Sequence, residues 1–115
     1  MRYLLLIYGS EDVPDPTPEE QGAVMAAYNA FGEYVRSKDA FLGGEALEPT
    51  ATATTVRVRD GQTLTTDGPF AETKEALGGY YLLEADDIDA AIEVAARIPA
   101  ARMGGAVEVR PIVER

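Results

Sequence analysis

The sequence contains no cysteine and no histidine, and its 20 acidic side chains outnumber the 10 basic ones. Without cysteine there is no disulfide framework, thiol nucleophile or thiolate metal site. Without histidine the commonest acid/base group near neutral pH and the commonest metal ligand are both missing. Carboxylates, Lys74 and the tyrosines are left for proton transfer. A metal would have to be a hard cation held by oxygen, and the Asp and Glu residues fall at no calcium-loop spacing. Cations are scarce: at a formal charge of -10 and with no basic patch, the chain would be repelled by nucleic acid and by an anionic membrane. Neither glycine pair lies in a G-x-G-x-x-G run, and no phosphate-cradling G-x-x-x-x-G-K occurs. No metal or other cofactor is expected.

Long apolar runs are lacking as well. The run Tyr3 to Tyr8 is too short to span a bilayer, and "MRYLLLIYGS" has no signal-like cleavage region after a basic leader. The expectation is a cytoplasmic protein. At 115 residues the chain has the size of one domain, 1–115.

Within that domain, the apolar run shows no polar alternation and reads as a strand covered on both faces. "GSEDVPDPTPEE" carries three prolines and five acidic residues, the composition of a solvated connection. Thr17, Pro18 and Glu20 then predict a capped helix start. Val24, Ala27, Tyr28, Phe31, Tyr34 and Val35 recur at spacings of three and four and form its apolar stripe. Gly32, in the middle of that helix, reads first as a close helix-packing position. "FLGGEALEP" predicts a short second strand with a bend or bulge at Gly43 and Gly44.

Residues 52 to 66 predict a hairpin around Asp60-Gly61. A three-residue connection, 59 to 61, pairs Val58 with Gln62 and Val56 with Leu64 on one face. It is preferred over a two-residue turn, which puts Arg57 opposite Leu64. "GGYYLLEA" is a further strand. "DDIDAAIEVAARIP" reads as a helix capped by Asp86, with Ile88, Ala91, Ile92 and Ala95 buried and Pro99 as its stop. "AVEVRPIV" is a last strand, at an edge because of Pro111.

The order strand, helix, strand, hairpin, strand, helix, strand predicts an α+β protein. Its ferredoxin-like antiparallel sheet carries two helices on one face and an inserted hairpin. The other sheet face, with Leu4, Leu6 and Tyr8, needs cover, and a face-to-face homodimer supplies it.

Asp67-Gly68-Pro69-Phe70 is turn chemistry first: Asp bonds nearby amides, Gly bends, Pro restricts and Phe anchors. A functional version sets Asp67 at a pocket rim as an acid/base or orienting group. Phe70 is then the pocket wall, and Tyr8 or Tyr81 a hydroxyl donor. Arg57 and Arg59 share one side of the hairpin and could clamp a carboxylate or phosphate. "AETKE" is read as a helical turn with Glu72 and Glu75 on neighbouring faces.

Together, "MRYLLLIY", Asp67-Gly68-Pro69-Phe70, the following Glu72, Thr73, Lys74 and Glu75, Gly78-Gly79-Tyr80-Tyr81, and "DDIDAAIEVAARIP" closely resemble the YCII-related family, in particular its DGPF-containing branch. The resemblance implies a ferredoxin-like dimeric α/β barrel. Some YCII-like proteins carry a histidine and an aspartate proposed as a dyad, and one relative is described as a dehydrochlorinase of a hydroxylated aromatic. With no histidine here the dyad does not transfer, and Asp67 is not equated with its aspartate. DGPF-type domains also look like companions of extracytoplasmic-function sigma factors. Two readings follow: a small-molecule-binding homodimer, with or without enzymatic activity, and a noncatalytic regulatory module with a transcription-factor partner.

Overall fold

The computed structural model describes residues 1–71 and 73–114. Strand β1 (Arg2–Gly9) leads into helix α1 (Pro18–Lys38) and strand β2 (Phe41–Ala46). A single 3-10 turn at Thr50–Thr52 precedes the hairpin of β3 (Thr54–Arg59) and β4 (Gln62–Asp67). Strand β5 (Ala76–Glu84), helices α2 (Ile88–Ala96) and α3 (Pro99–Arg102), and strand β6 (Ala106–Pro111) complete the chain. The sheet order is β2-β5-β1-β6, with every neighbouring pair antiparallel. This α+β arrangement is consistent with a ferredoxin-like fold. β6 pairs with β1 alone, so Pro111 does lie on an edge strand.

The start of α1 follows its sequence signals. Thr17 Oγ1 accepts from the Glu20 amide at 3.1 Å, and Pro18 occupies the first helical position. The stripe on α1 buries Phe31 and Val35 against Tyr3 and Leu5 of β1, Leu83 of β5, and Ala91, Val94, Ala95 and Ile98. Alternation within the strands then puts Leu4, Leu6, Tyr80 and Leu82 on the opposite face, paired with each other across β1 and β5.

Several local expectations are corrected. Helix α2 is capped by Asp87, not Asp86: the Asp87 carboxylate accepts from the Ala90 amide at 2.9 Å. Its buried side is Ala91, Val94 and Ala95, while Ile88 and Ile92 are exposed. Pro99 does not stop that helix but opens a third, α3, where its missing N–H costs nothing. The "AETKE" turn is not helical at residues 73–75, where the Thr73 hydroxyl donates to the Glu75 carbonyl; Glu72 lies outside the described residues.

The hairpin register also differs. Asp60 and Gly61 both have positive φ, 51° and 77°, and form a two-residue turn that sets Arg57 opposite Leu64 and Val56 opposite Thr65. Primed turns match strand twist, and among the described residues no strand or helix layer buries either face, so turn geometry decides the register.

Gly32 is no packing contact. A Cβ there would meet only the Arg36 guanidinium, at 3.5 Å. Gly32→Ala is therefore expected to stabilise the protein by about 1 kcal/mol through helix propensity, read as a raised thermal midpoint. A lower midpoint would show that the backbone needs glycine at this position.

The hairpin stands off the body. The radius of gyration is 16.3 Å and the extents are 49 × 44 × 18 Å, whereas a compact chain of this length has a radius of gyration of about 13 Å. The hairpin forms its own two-stranded sheet, and among the described residues no other strand or helix packs extensively on it.

Candidate functional site

Among the described residues, one surface cavity lies on the body and another on the hairpin. The first lies where α1 crosses the ends of β2 and β5. Tyr28 of α1, Gly44 and Glu45 of β2, and Gly79, Tyr80 and Tyr81 of β5 border a volume of about 340 Å³. That is the low end of the range for small-molecule pockets.

Glycine chemistry builds this cavity. Gly44 pairs with Tyr81 and Ala46 with Gly79. A Cβ on Gly44 would fall 2.6 Å from the Tyr80 carbonyl oxygen and 2.7 Å from Tyr81 Cδ1, and one on Gly79 would fall 3.0 Å from the Glu45 carbonyl. The missing side chains allow the Tyr81 ring to lie close over β2. Two aromatic neighbours fix it there, with centroids 5.2 Å away for Phe31 and 5.5 Å for Phe41.

The two phenols of this cavity are electrostatically linked. Burial pushes Tyr81 above the ordinary tyrosine value, and the nearby Tyr28 phenol adds to the shift. Burial also raises Tyr28, against an opposing interaction with the Ala100 backbone. Both therefore stay neutral across the physiological range and can donate or accept a hydrogen bond, but neither is a base. Among the described residues no group of three or more carboxylates is placed to hold a metal ion.

The second cavity, of about 360 Å³, lies along one face of the hairpin between Arg57, Arg59 and Leu64 on one side and Pro69 and Phe70 on the other. The Arg57 guanidinium sits 4.9 Å from the Phe70 ring centroid, in cation–π range. The DGPF turn is clamped at Gly68: its amide donates to the Ala53 carbonyl at 2.7 Å, and its carbonyl accepts from Thr55 Oγ1 at 2.8 Å. Gly68 has φ 101°, a conformation that side-chain-bearing residues avoid.

The residues singled out in the sequence separate accordingly. Tyr81 belongs to the first cavity, and Arg57 and Phe70 to the second. Phe70 is 77% exposed, so it does not anchor the turn in apolar surface. Asp67 pairs with Thr54 and so alternates to the hairpin face opposite Arg57. It is exposed, and its carboxylate accepts no hydrogen bond among the described residues. Tyr8 lies on the helix-free sheet face, opposite Ala106. Asp67, Phe70 and Tyr81 do not converge within the chain, because Asp67 and Phe70 lie on or beside the hairpin, which projects away from the sheet carrying Tyr81. Tyr28 was legible only as a helix-stripe residue. Its position at a cavity depends on an α1–sheet crossing that no local pattern encodes.

At the foot of the hairpin a separate contact ties the acidic connection to the fold. The Glu11 carboxylate accepts from the Thr50 amide at 3.0 Å and from the Thr50 hydroxyl. These hydrogen bonds, the side-chain one first, hold Glu11 below its ordinary value.

A model of the YCII-related domain matches residues 1–115. An uncharacterised protein of Rhizobium meliloti (strain 1021) is 40% identical over 116 residues, spanning 97% of this chain and 92% of its own. No helix of the described residues is long and apolar enough to cross a membrane.

Proposed function

The chain belongs to the YCII-related family, and from that premise we propose that it binds a small, uncharged polar or aromatic molecule in the cavity between α1 and the ends of β2 and β5. Asp67-Gly68-Pro69-Phe70 supports placing it in the DGPF-containing branch of that family. One observation carries the binding reading: two neutral phenols, Tyr28 and Tyr81, border one cavity at a place where Gly44 and Gly79 leave room for the Tyr81 ring and the close approach of β2 and β5. Neutral hydroxyls orient an uncharged ligand without a desolvated charge to compensate, and the aromatic rings supply apolar contact. If the protein is an enzyme, proton removal falls to a carboxylate, and Glu45 is the one bordering this cavity. Asp67 would act only on a ligand at the hairpin.

A homodimer through the helix-free sheet face is part of this reading. Leu4, Leu6, Tyr80 and Leu82 form an apolar patch there, and the 18 Å thickness of the protomer leaves room for no third layer, since sheets alone pack about 10 Å apart. The regulatory-module reading has its own support in the projecting hairpin, on which Val56, Val58 and Phe70 are exposed.

A titration with 4-fluorophenol followed by 19F NMR tests the cavity. Saturable binding to the wild type is expected, weakened about fivefold in Tyr81→Phe by the loss of one hydrogen bond worth about 1 kcal/mol. Absence of binding to the wild type, or the same affinity in the folded variant, would sink this assignment.

A further inference from the structure

We infer that hairpin β3–β4 is an exchange arm: in the homodimer each arm lies against the acidic connection, residues 10–17, of the second copy, with its Arg57 and Arg59 face inward. The inference rests on the homodimer reading and adds to it a contact outside the sheet face.

Four observations lead there. First, the arm is a lone two-stranded sheet, a structure of marginal stability in water when nothing packs on it, yet its Arg57 and Arg59 face carries Leu64 exposed, with Phe70 exposed beside it. Such a surface on an ordered hairpin marks a contact site. Second, the centre of that face has interface chemistry: Arg57 stacked on the Phe70 ring, with Leu64 and Pro69 beside it. Third, charge specifies the partner surface. Arg57 and Arg59 stand side by side on one hairpin face, and neither forms an ion pair among the described residues. The connection 10–17 is exposed throughout and holds Glu11, Asp12 and Asp15 with no cation. Fourth, the connection is fixed at the foot of the arm by the Glu11–Thr50 hydrogen bonds.

Two-fold symmetry turns the last two observations into a geometry. A symmetric contact requires that if the arm of one copy meets the foot of the other, the reverse holds as well. Two arms crossing antiparallel bring each cationic outer segment, Arg57 and Arg59, beside the other copy's acidic foot. Parallel arms would instead set the arginines of the two copies against each other. Asp12 and Asp15 are the acceptors, because the Glu11 carboxylate is already engaged by Thr50.

Sedimentation equilibrium on full-length protein tests the arm. The exposed double variant Arg57→Glu/Arg59→Glu is expected to weaken dimerisation about 100-fold, the order for four exposed charge pairs, two on each arm. Adding Asp12→Lys and Asp15→Lys should restore affinity to within about tenfold of wild type. An unchanged dimer in the first variant, with dissociation by Leu82→Glu, would overturn the arm and leave the sheet-face dimer standing. Weakening without rescue would overturn the acidic connection as the partner surface. A wild type that stays monomeric at every concentration would remove the homodimer and the arm together. Thermal melts of each variant separate loss of association from loss of fold.

Discussion

Leu5→Ala is expected to destabilise the protein by about 3 to 4 kcal/mol. Leu5 sits on β1, which is flanked by β5 and β6, and pairs with Tyr81 on one side and Val109 on the other. Its exposure is 0%, and it belongs to the same cluster as Phe31 and Val35 of α1 and Leu83 of β5. Truncation removes contacts to both neighbouring strands and the helix layer at once. Two hydrogen-bonded neighbours hold β1 in place, so the void cannot close by a strand shift. Domains have roughly 5 to 15 kcal/mol of stability in total, so the variant should retain a cooperative transition with a much lower urea midpoint and an unchanged slope. A loss under about 1 kcal/mol would mean that the centre of the core lies elsewhere.

Gly44→Ala should cost about 2 kcal/mol and abolish 4-fluorophenol binding, while Gly43→Ala one residue away leaves both nearly unchanged. The added Cβ at 44 would collide with the Tyr80 carbonyl and the Tyr81 ring, whereas at 43 nothing lies within 4 Å. Overpacking of this kind costs about 1 to 3 kcal/mol, and relief requires either widening the β2–β5 gap or turning Tyr81 away from Phe31. Both responses deform the cavity that Tyr81 borders. Equal behaviour of the two variants in denaturation and 19F titration would contradict the β2–β5 register and the room that Gly44 leaves for the Tyr81 ring.

The order of the elements was legible because each signal is local. Thr17 and Pro18 mark the start of α1, the Phe31 and Val35 stripe marks its buried side, and Pro111 marks an edge strand. Near misses occurred where two adjacent residues compete on equal terms, as with Asp86 and Asp87 before α2. The hairpin shows a different failure. Pairing Val56 with Leu64 assumes that one face of the hairpin is buried by the same chain, and that premise does not hold for an arm projecting from the body. With no burial to reward the apolar pairing, the positive-φ turn at Asp60-Gly61 sets the register.

The candidate site was only half visible for a related reason. Tyr81 stood out beside Gly78-Gly79, and Arg57 and Phe70 by their chemistry, but a cavity is a relation between distant segments. By itself, the sequence determined the α+β element order, the helix starts, an apolar sheet with both faces in need of cover, and the exclusion of thiol and imidazole chemistry. Tertiary structure alone decided that Tyr28 and Tyr81 border one cavity, that Gly44 rather than Gly43 makes room for the ring, and that Asp67 and Phe70 ride on an arm away from both. Local propensities act over a few residues, whereas these three outcomes depend on strand register and on the angle at which α1 crosses the sheet, both fixed only when the core packs.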